Sequence, residues 1–227
     1  QHVIGDQNIN VIVELSDGRI INARIIGIDK GTDLAVLKAD LSDGVYPSIE
    51  IADSDKVKIG DVVLAIGNPY GLGQSVSMGI ISATGREYEN PYSNYLQTDA
   101  SINKGNSGGA LADRQGRVVG MNTSIRTDGI VSGNLGVGFA IPSDTILLIA
   151  DRIVNGESLD VGYLGISGQN PTLGRAGALI VDVLEGSPAW DGGLMSGDLV
   201  VSVDGSPILG MSELAAKIRI ASPGTQV

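Results

Sequence analysis

Residues 96–111 read LQTDASINKGNSGGAL, and the interpretation of GNSGG, Gly105–Gly109, decides what kind of protein surrounds it. A serine boxed in by glycines is either a turn or a nucleophile whose neighbouring amides face an incoming substrate. As a nucleophile it needs a base to remove its proton and a third group to hold that base in the right tautomer. The chain contains one histidine, His2, so the hypothesis depends on a single pair. Asp33, in GTDLAVLK, stands where a loop gives way to an apolar strand and suggests the orienting carboxylate. An oxyanion hole needs converging backbone N–H groups, often in conformations that only glycine tolerates; the amides of Gly105 and Ser107 are the natural candidates. The plainer readings stay open on spacing alone: a turn at NSGG, a stray His2, a turn or cap aspartate at Asp33.

Composition narrows the field. Hydrophobic residues make up 42% of 227 residues with one Phe and one Trp, so cores must be built from Val, Ile and Leu, which suit pleated sheets. A net charge of -11 repels phosphate backbones, which argues against nucleic acid as a partner. The absence of cysteine excludes disulfides and thiolate chemistry; with a single histidine, a multi-histidine zinc site is excluded too. No metal or other cofactor is expected. No apolar run approaches the roughly 18 residues of a spanning helix.

Along the chain, INVIVEL (9–15) and RIINARIIGID (19–29) read as a hairpin about Ser16-Asp17-Gly18. Further strands are expected from Leu34, at 62–67, 75–85, 109–111, 117–125 and 136–140. The period changes once, at IPSDTILLIADRIVNGE. There Ile146, Leu147, Ile149, Ala150 and Ile153 share a helical face, with Ser143 a candidate cap and Asn155-Gly156 the stop. Many short strands with close turns predict a barrel or sandwich rather than βαβ units. After a boundary near 156–161 a second unit opens at DVGYLGISG, with a short amphipathic helix at about Met211–Ile220.

Several strings together carry a family resemblance: HVI (2–4), TDLAVLK (32–38), GDVVLAIGNPYGLGQSVSMGIISATGR (60–86), LQTDASINKGNSGGAL (96–111) and GVGFAIP (136–142). In this order they resemble the HtrA serine proteases of DegP and DegS type, nearest to the DegS-like stress sensors. YLGI (163–166) and SPAWDGGLMSGDLVVSVDG (187–205) resemble the family's PDZ domain. The resemblance implies an all-β, trypsin-like double β-barrel protease over 1–157 and an α+β PDZ domain over 161–227. It implies a first barrel without its N-terminal strands and a PDZ domain without its last strand. Such a half-barrel would expose unpaired edges and is expected to need the rest of a longer protein.

By that resemblance His2 is the general base, Asp33 its orienting acid, Ser107 the nucleophile, and Gly105 with Ser107 the oxyanion donors. The specificity pocket falls on Ile102, Ser124 and Ile125, implying an aliphatic P1 residue. Asn122-Thr123-Ser124 also fits a glycosylation sequon, taken as a chance match. Tyr163, Leu164, Gly165, Ile166, Met211, Leu214 and Ala215 are implied to bind peptide C-termini by strand addition. Trp190 reads as a packing anchor. Tyr70, Arg86 and Gln97 match an activation cluster through which bound peptide switches the enzyme on. The implied partners are protein or peptide substrates and further copies of the chain in a homotrimer, in the periplasm or cell envelope. The rival reading is a catalytically silent, PDZ-type scaffold; the intact His, Asp and Ser argue against it.

Overall fold

The computed structural model describes residues 1–5, 11–41, 46–69, 73–88, 90–125, 135–172 and 174–227, with the side chains of 87, 88, 90–93, 124 and 125 excepted. The chain divides into two compact units, Gln1–Ser82 with Gln97–Leu159, and Ala83–Leu96 with Asp160–Val227.

In the first unit, β1 (Val11–Glu14), β2 (Ile20–Asp29) and β3 (Leu34–Ala39) form an open antiparallel sheet in that order. Its alternation buries Ile21 and Ala23 and leaves Ile12 and Ile20 exposed. A closed barrel is built from β4 (Val62–Gly67), β5 (Ser75–Tyr88), β6 (Asn90–Thr98), β7 (Ala110–Asp113), β8 (Val118–Ile125) and β9 (Gly138–Pro142), of which Ala83–Leu96 is counted with the second unit. Its strand order is β4-β5-β6-β9-β8-β7. Val63, Ala65, Ile81, Leu111 and Ile141 are buried on its strands, with Phe139 the one buried phenylalanine. Thus one barrel is closed and the other sheet is open. Strand β6 has no counterpart in the sequence reading, because NPYSNYLQT has a proline at its second position and lacks a clear apolar alternation.

Helix α1 (Ser143–Asn155) ends where expected, with Gly156 in the left-handed region at φ 68°. Its start corrects the sequence reading. Pro142 is the N-cap, and the Ser143 hydroxyl donates instead to the Ala52 carbonyl at 2.6 Å. The cap comes from 90 residues away: the Asp144 amide donates to Ser54 Oγ at 3.1 Å, and that hydroxyl donates to Asp144 Oδ2 at 2.5 Å. The buried face is also turned from the expected one, since Leu147 is 47% exposed while Arg152 joins Ile149 and Ile153 inside. Ile153 lies so close to Gly27 of β2 that a β-carbon there would meet its Cγ2 at 2.7 Å.

In the second unit β10 (Ile166–Gln169), β11 (Ala178–Val183) and β12 (Leu199–Val200) form a small antiparallel sheet, and β13 (Ser202–Val203) pairs with β14 (Ser206–Pro207). A four-residue helix α2 (Pro188–Asp191) is capped by Ser187 Oγ accepting from the Trp190 amide. Helix α3 (Met211–Ile220) packs Leu214 and Ile218 against Ala178, Ile180 and Ile208. Trp190, read as a packing anchor, is 52% exposed.

Candidate active site

Asp33 is presented by the turn between β2 and β3, and that turn is organised by Asp29. The Asp29 carboxylate accepts from the Gly31 amide at 3.0 Å, the Thr32 amide at 3.2 Å and the Thr32 hydroxyl at 2.6 Å. Asp33 itself has φ 61°, a left-handed conformation that aspartate tolerates better than most residues. Buried Leu34 then starts β3 and fixes the carboxylate's direction.

His2 meets that carboxylate twice. Its amide donates to Oδ1 at 2.8 Å, and its Nδ1 lies 2.6 Å from Oδ2. The nitrogen of Gln1 lies 3.0 Å from Oδ1. Burial pushes the Asp33 pKa up, but hydrogen bonds from the His2 amide and the His2 ring work against it. The carboxyl is held below its ordinary value. An ionised Asp33 accepts from Nδ1–H, which leaves Nε2 as the basic nitrogen of a neutral imidazole.

Ser107 enters from the loop between β6 and β7. Its hydroxyl donates to the Thr123 carbonyl at 2.9 Å, and the neighbouring Gly108 amide donates to the Asn122 carbonyl at 2.8 Å. Thr123, on β8, turns its own hydroxyl to Asp33 Oδ2 at 3.0 Å. His2, Asp33, Ser107 and Thr123 line one cavity of about 320 Å³. Among the described residues no hydrogen bond joins His2 to Ser107: the His2 ring meets Asp33, and the Ser107 hydroxyl meets the Thr123 carbonyl. Gly105 has φ 101°, and the amides of Gly105 and Ser107 meet no acceptor among the described residues.

The remaining site residues divide. Ile102 is 1% exposed and packs against Gly138 of β9, while Ser124 and Ile125 end β8 with side chains outside the described residues. Tyr70 also lies outside them. Gln97 belongs to β6 in the first unit and exposed Arg86 to the second.

In the second unit Val161–Ile166 and α3 enclose a mostly apolar cleft of about 260 Å³, lined among others by Tyr163, Met211, Leu214 and Ala215. The Leu164 and Gly165 carbonyls accept from the Ala189 and Leu184 amides, at 2.9 and 2.8 Å. The amides of Tyr163, Leu164 and Gly165 meet no acceptor among the described residues. Strand β10 pairs only with β11 among the described residues, so its other edge is open beside the cleft. Loop amides beside an open edge are what strand addition by a peptide C-terminus requires.

Residues 1–121 match a trypsin-like peptidase domain and residues 179–227 a PDZ domain. The chain belongs to the HtrA family of trypsin-like serine proteases. It is 40% identical to the periplasmic pH-dependent serine endoprotease DegQ of Escherichia coli (strain K12), covering 100% of this chain and 51% of DegQ. It is 42% identical to the probable serine protease do-like of Buchnera aphidicola subsp. Acyrthosiphon pisum (strain APS), covering 96% of this chain and 47% of that protein. The HtrA-type protease AlgW with decapeptide superposes with a TM-score of 0.68 at 40% identity, covering 94% of this chain and 68% of AlgW. AlgW with tripeptide gives 0.70 at 40% identity, covering 92% and 72%. DegP- and DegQ-like relatives match alongside AlgW, and the family is shared without a branch being singled out. The HtrA chain here spans about half the length of the curated relatives it matches.

Two contributors were missed by the sequence reading. Asp29 looked like part of a strand end, and Thr123 was noticed only within a sequon. Asn122 is fully buried, with its side-chain amide donating to the Ile66 and Ala110 carbonyls, so it is a packing residue and no surface glycan site.

Proposed function

We propose that this chain is the catalytic and peptide-recognising part of an HtrA serine endopeptidase. Ser107 attacks the scissile carbonyl, His2 Nε2 takes its proton and returns it to the leaving amine, and water then releases the acyl-enzyme by the same route. Asp33 holds the ring and stabilises the imidazolium, and the Gly105 and Ser107 amides receive the oxyanion. The observation that carries the reading is the double contact of His2 with an ionised Asp33 in the cavity that Ser107 also lines.

The protease domain extends over 1–157 and the PDZ domain over 161–227. Ile102, Ser124 and Ile125 form the P1 pocket and select small or medium aliphatic side chains, because two isoleucines offer a charge no compensation. The PDZ cleft binds apolar peptide C-termini. As in the DegS-like branch, that binding raises proteolysis, with Tyr70, Arg86 and Gln97 in the activation cluster. The protein works in the periplasm or envelope, as the names of its relatives suggest; its substrates are misfolded or regulatory proteins, and it assembles as a homotrimer.

The deciding experiment is active-site labelling of the intact protein with a fluorophosphonate. Labelling of the wild type that disappears in Ser107→Ala supports an activated serine. An unlabelled, well-folded wild type would leave a peptide-binding scaffold in its place.

A further inference from the structure

For two amides to face one point outside a loop, the peptide between them must turn the other way. Asn106 stands between Gly105 and Ser107, and its polar groups are directed inward. Its amide donates to the Asn103 carbonyl at 3.0 Å, and its carbonyl accepts from the Gly109 amide at 2.9 Å. Its side chain is 5% exposed, and Nδ2 donates to the Ser101 carbonyl at 3.3 Å. The preceding carbonyl, of Gly105, accepts from the Asn68 amide at 3.4 Å. The flanking amides of Gly105 and Ser107 are the ones left without acceptors among the described residues.

The seat for Asn106 is the end of β4. A β-carbon on Gly67 would lie 2.4 Å from Asn106 Oδ1 and 2.7 Å from its Cα, closer than atoms in contact can approach. Gly67 is not among the residues with positive φ, so its backbone would accept alanine without strain. Glycine is needed there for room. The buried Oδ1 has no hydrogen-bond partner among the described residues, which leaves the amide donor and the fit against Gly67 as what the side chain contributes.

We infer that Asn106, seated on Gly67, is the positioning residue that aims the Gly105 and Ser107 amides at the oxyanion. The assignment rests on the serine-protease reading. Asn106 touches no substrate; it acts through the loop whose two neighbouring amides do. The direction of one peptide unit decides whether the donors converge, and donors must stand ready before charge develops.

The test compares Asn106→Ala and Gly67→Ala with the wild type in the intact protein. The readouts are kcat and KM on a peptide substrate, affinity for a peptide boronate whose tetrahedral adduct uses the oxyanion donors, affinity for an unreactive product peptide, and Tm. We expect kcat to fall about 100-fold, the scale of losing one oxyanion donor. Boronate affinity should fall with it, while KM and product-peptide affinity change less than about twofold. If Asn106→Ala does not fold, Gly67→Ala carries the test, because it leaves the hydrogen-bonding groups of Asn106 in place and acts by collision alone. Wild-type kcat in a folded variant, or equal losses of kcat and product-peptide affinity, would overturn the assignment while leaving the protease reading standing. A wild type that neither turns over substrate nor accepts a fluorophosphonate would overturn both.

Discussion

Thr123 holds Ser107 and Asp33 with two different atoms: its carbonyl receives the Ser107 hydroxyl at 2.9 Å, and its hydroxyl donates to Asp33 Oδ2 at 3.0 Å. One residue of β8 thereby ties the Ser107 loop to the β2–β3 turn, two segments far apart in the chain. Thr123→Val keeps the shape and the carbonyl but removes the donor to a carboxylate. A hydrogen bond to a charged group is worth about 1.5–3 kcal/mol, so kcat should fall roughly 10- to 100-fold with KM little changed. Thr123→Ser should restore most of it. Steady-state kinetics of the two variants check this, and a Val variant as active as wild type would remove Thr123 from the site.

Ser107→Ala should abolish turnover and leave the fold nearly as stable as before. The change deletes one hydroxyl and its bond to Thr123, about 1 kcal/mol, and opens no cavity in the core. Denaturant melts and a reporter-peptide assay on the same preparation separate the two effects. Substantial residual turnover would place the nucleophile elsewhere.

Asp33→Asn should lower kcat by about four orders of magnitude, the template value for the tautomer change in a Ser-His-Asp triad. It should also change acid stability in a defined direction. The folded pKa of Asp33 lies below 3.8, so its stabilising contribution is complete above the unfolded value of about 3.9 and is lost as pH falls through the folded value. Tm measured from neutral to strongly acidic pH should therefore decline less steeply in the Asp33→Asn variant than in wild type. Parallel acid limbs would show that Asp33 is not held ionised by the fold.

Gly27→Ala should destabilise the protease unit by about 1–3 kcal/mol, because the added methyl meets Ile153 Cγ2 at 2.7 Å in a packed contact. Ile153→Ala costs stability alone by leaving a cavity, yet it should relieve part of the Gly27→Ala penalty. A double-mutant cycle by urea unfolding measures the coupling. Strict additivity would mean that helix α1 does not rest on β2 as described.

A short peptide with a free, apolar C-terminus should bind at the Val161–Ile166 cleft, and its C-terminally amidated twin should bind at least about tenfold more weakly. The three loop amides without acceptors among the described residues can receive a carboxylate, whereas an amide loses the charge that strengthens those bonds. Fluorescence anisotropy with both peptides decides it, and equal affinity would rule out carboxylate recognition.

How much of this was legible beforehand depends on whether the signal was local. Strands β3 and β4, the glycine stop of α1 and the span of α3 were readable because apolar period and turn residues lie within a few positions of one another. The cap of α1 was not, because Ser54 supplies from 90 residues away what Ser143 could have supplied locally. The missed Asp29 and Thr123 are ordinary residue types whose roles are set by neighbours in space.

By itself, then, the sequence determined the chemistry on offer: a single imidazole, a carboxylate at a strand start, a serine among glycines, no thiol, and an aliphatic β-rich build. Those follow from residue type and short-range spacing, which a linear chain carries in full. Tertiary structure decided which carboxylate meets the imidazole, which carbonyl receives the serine hydroxyl and which amides remain without acceptors. Hydrogen bonds act over about 3 Å, and only folding brings residues such as Asp33 and Thr123 within that range.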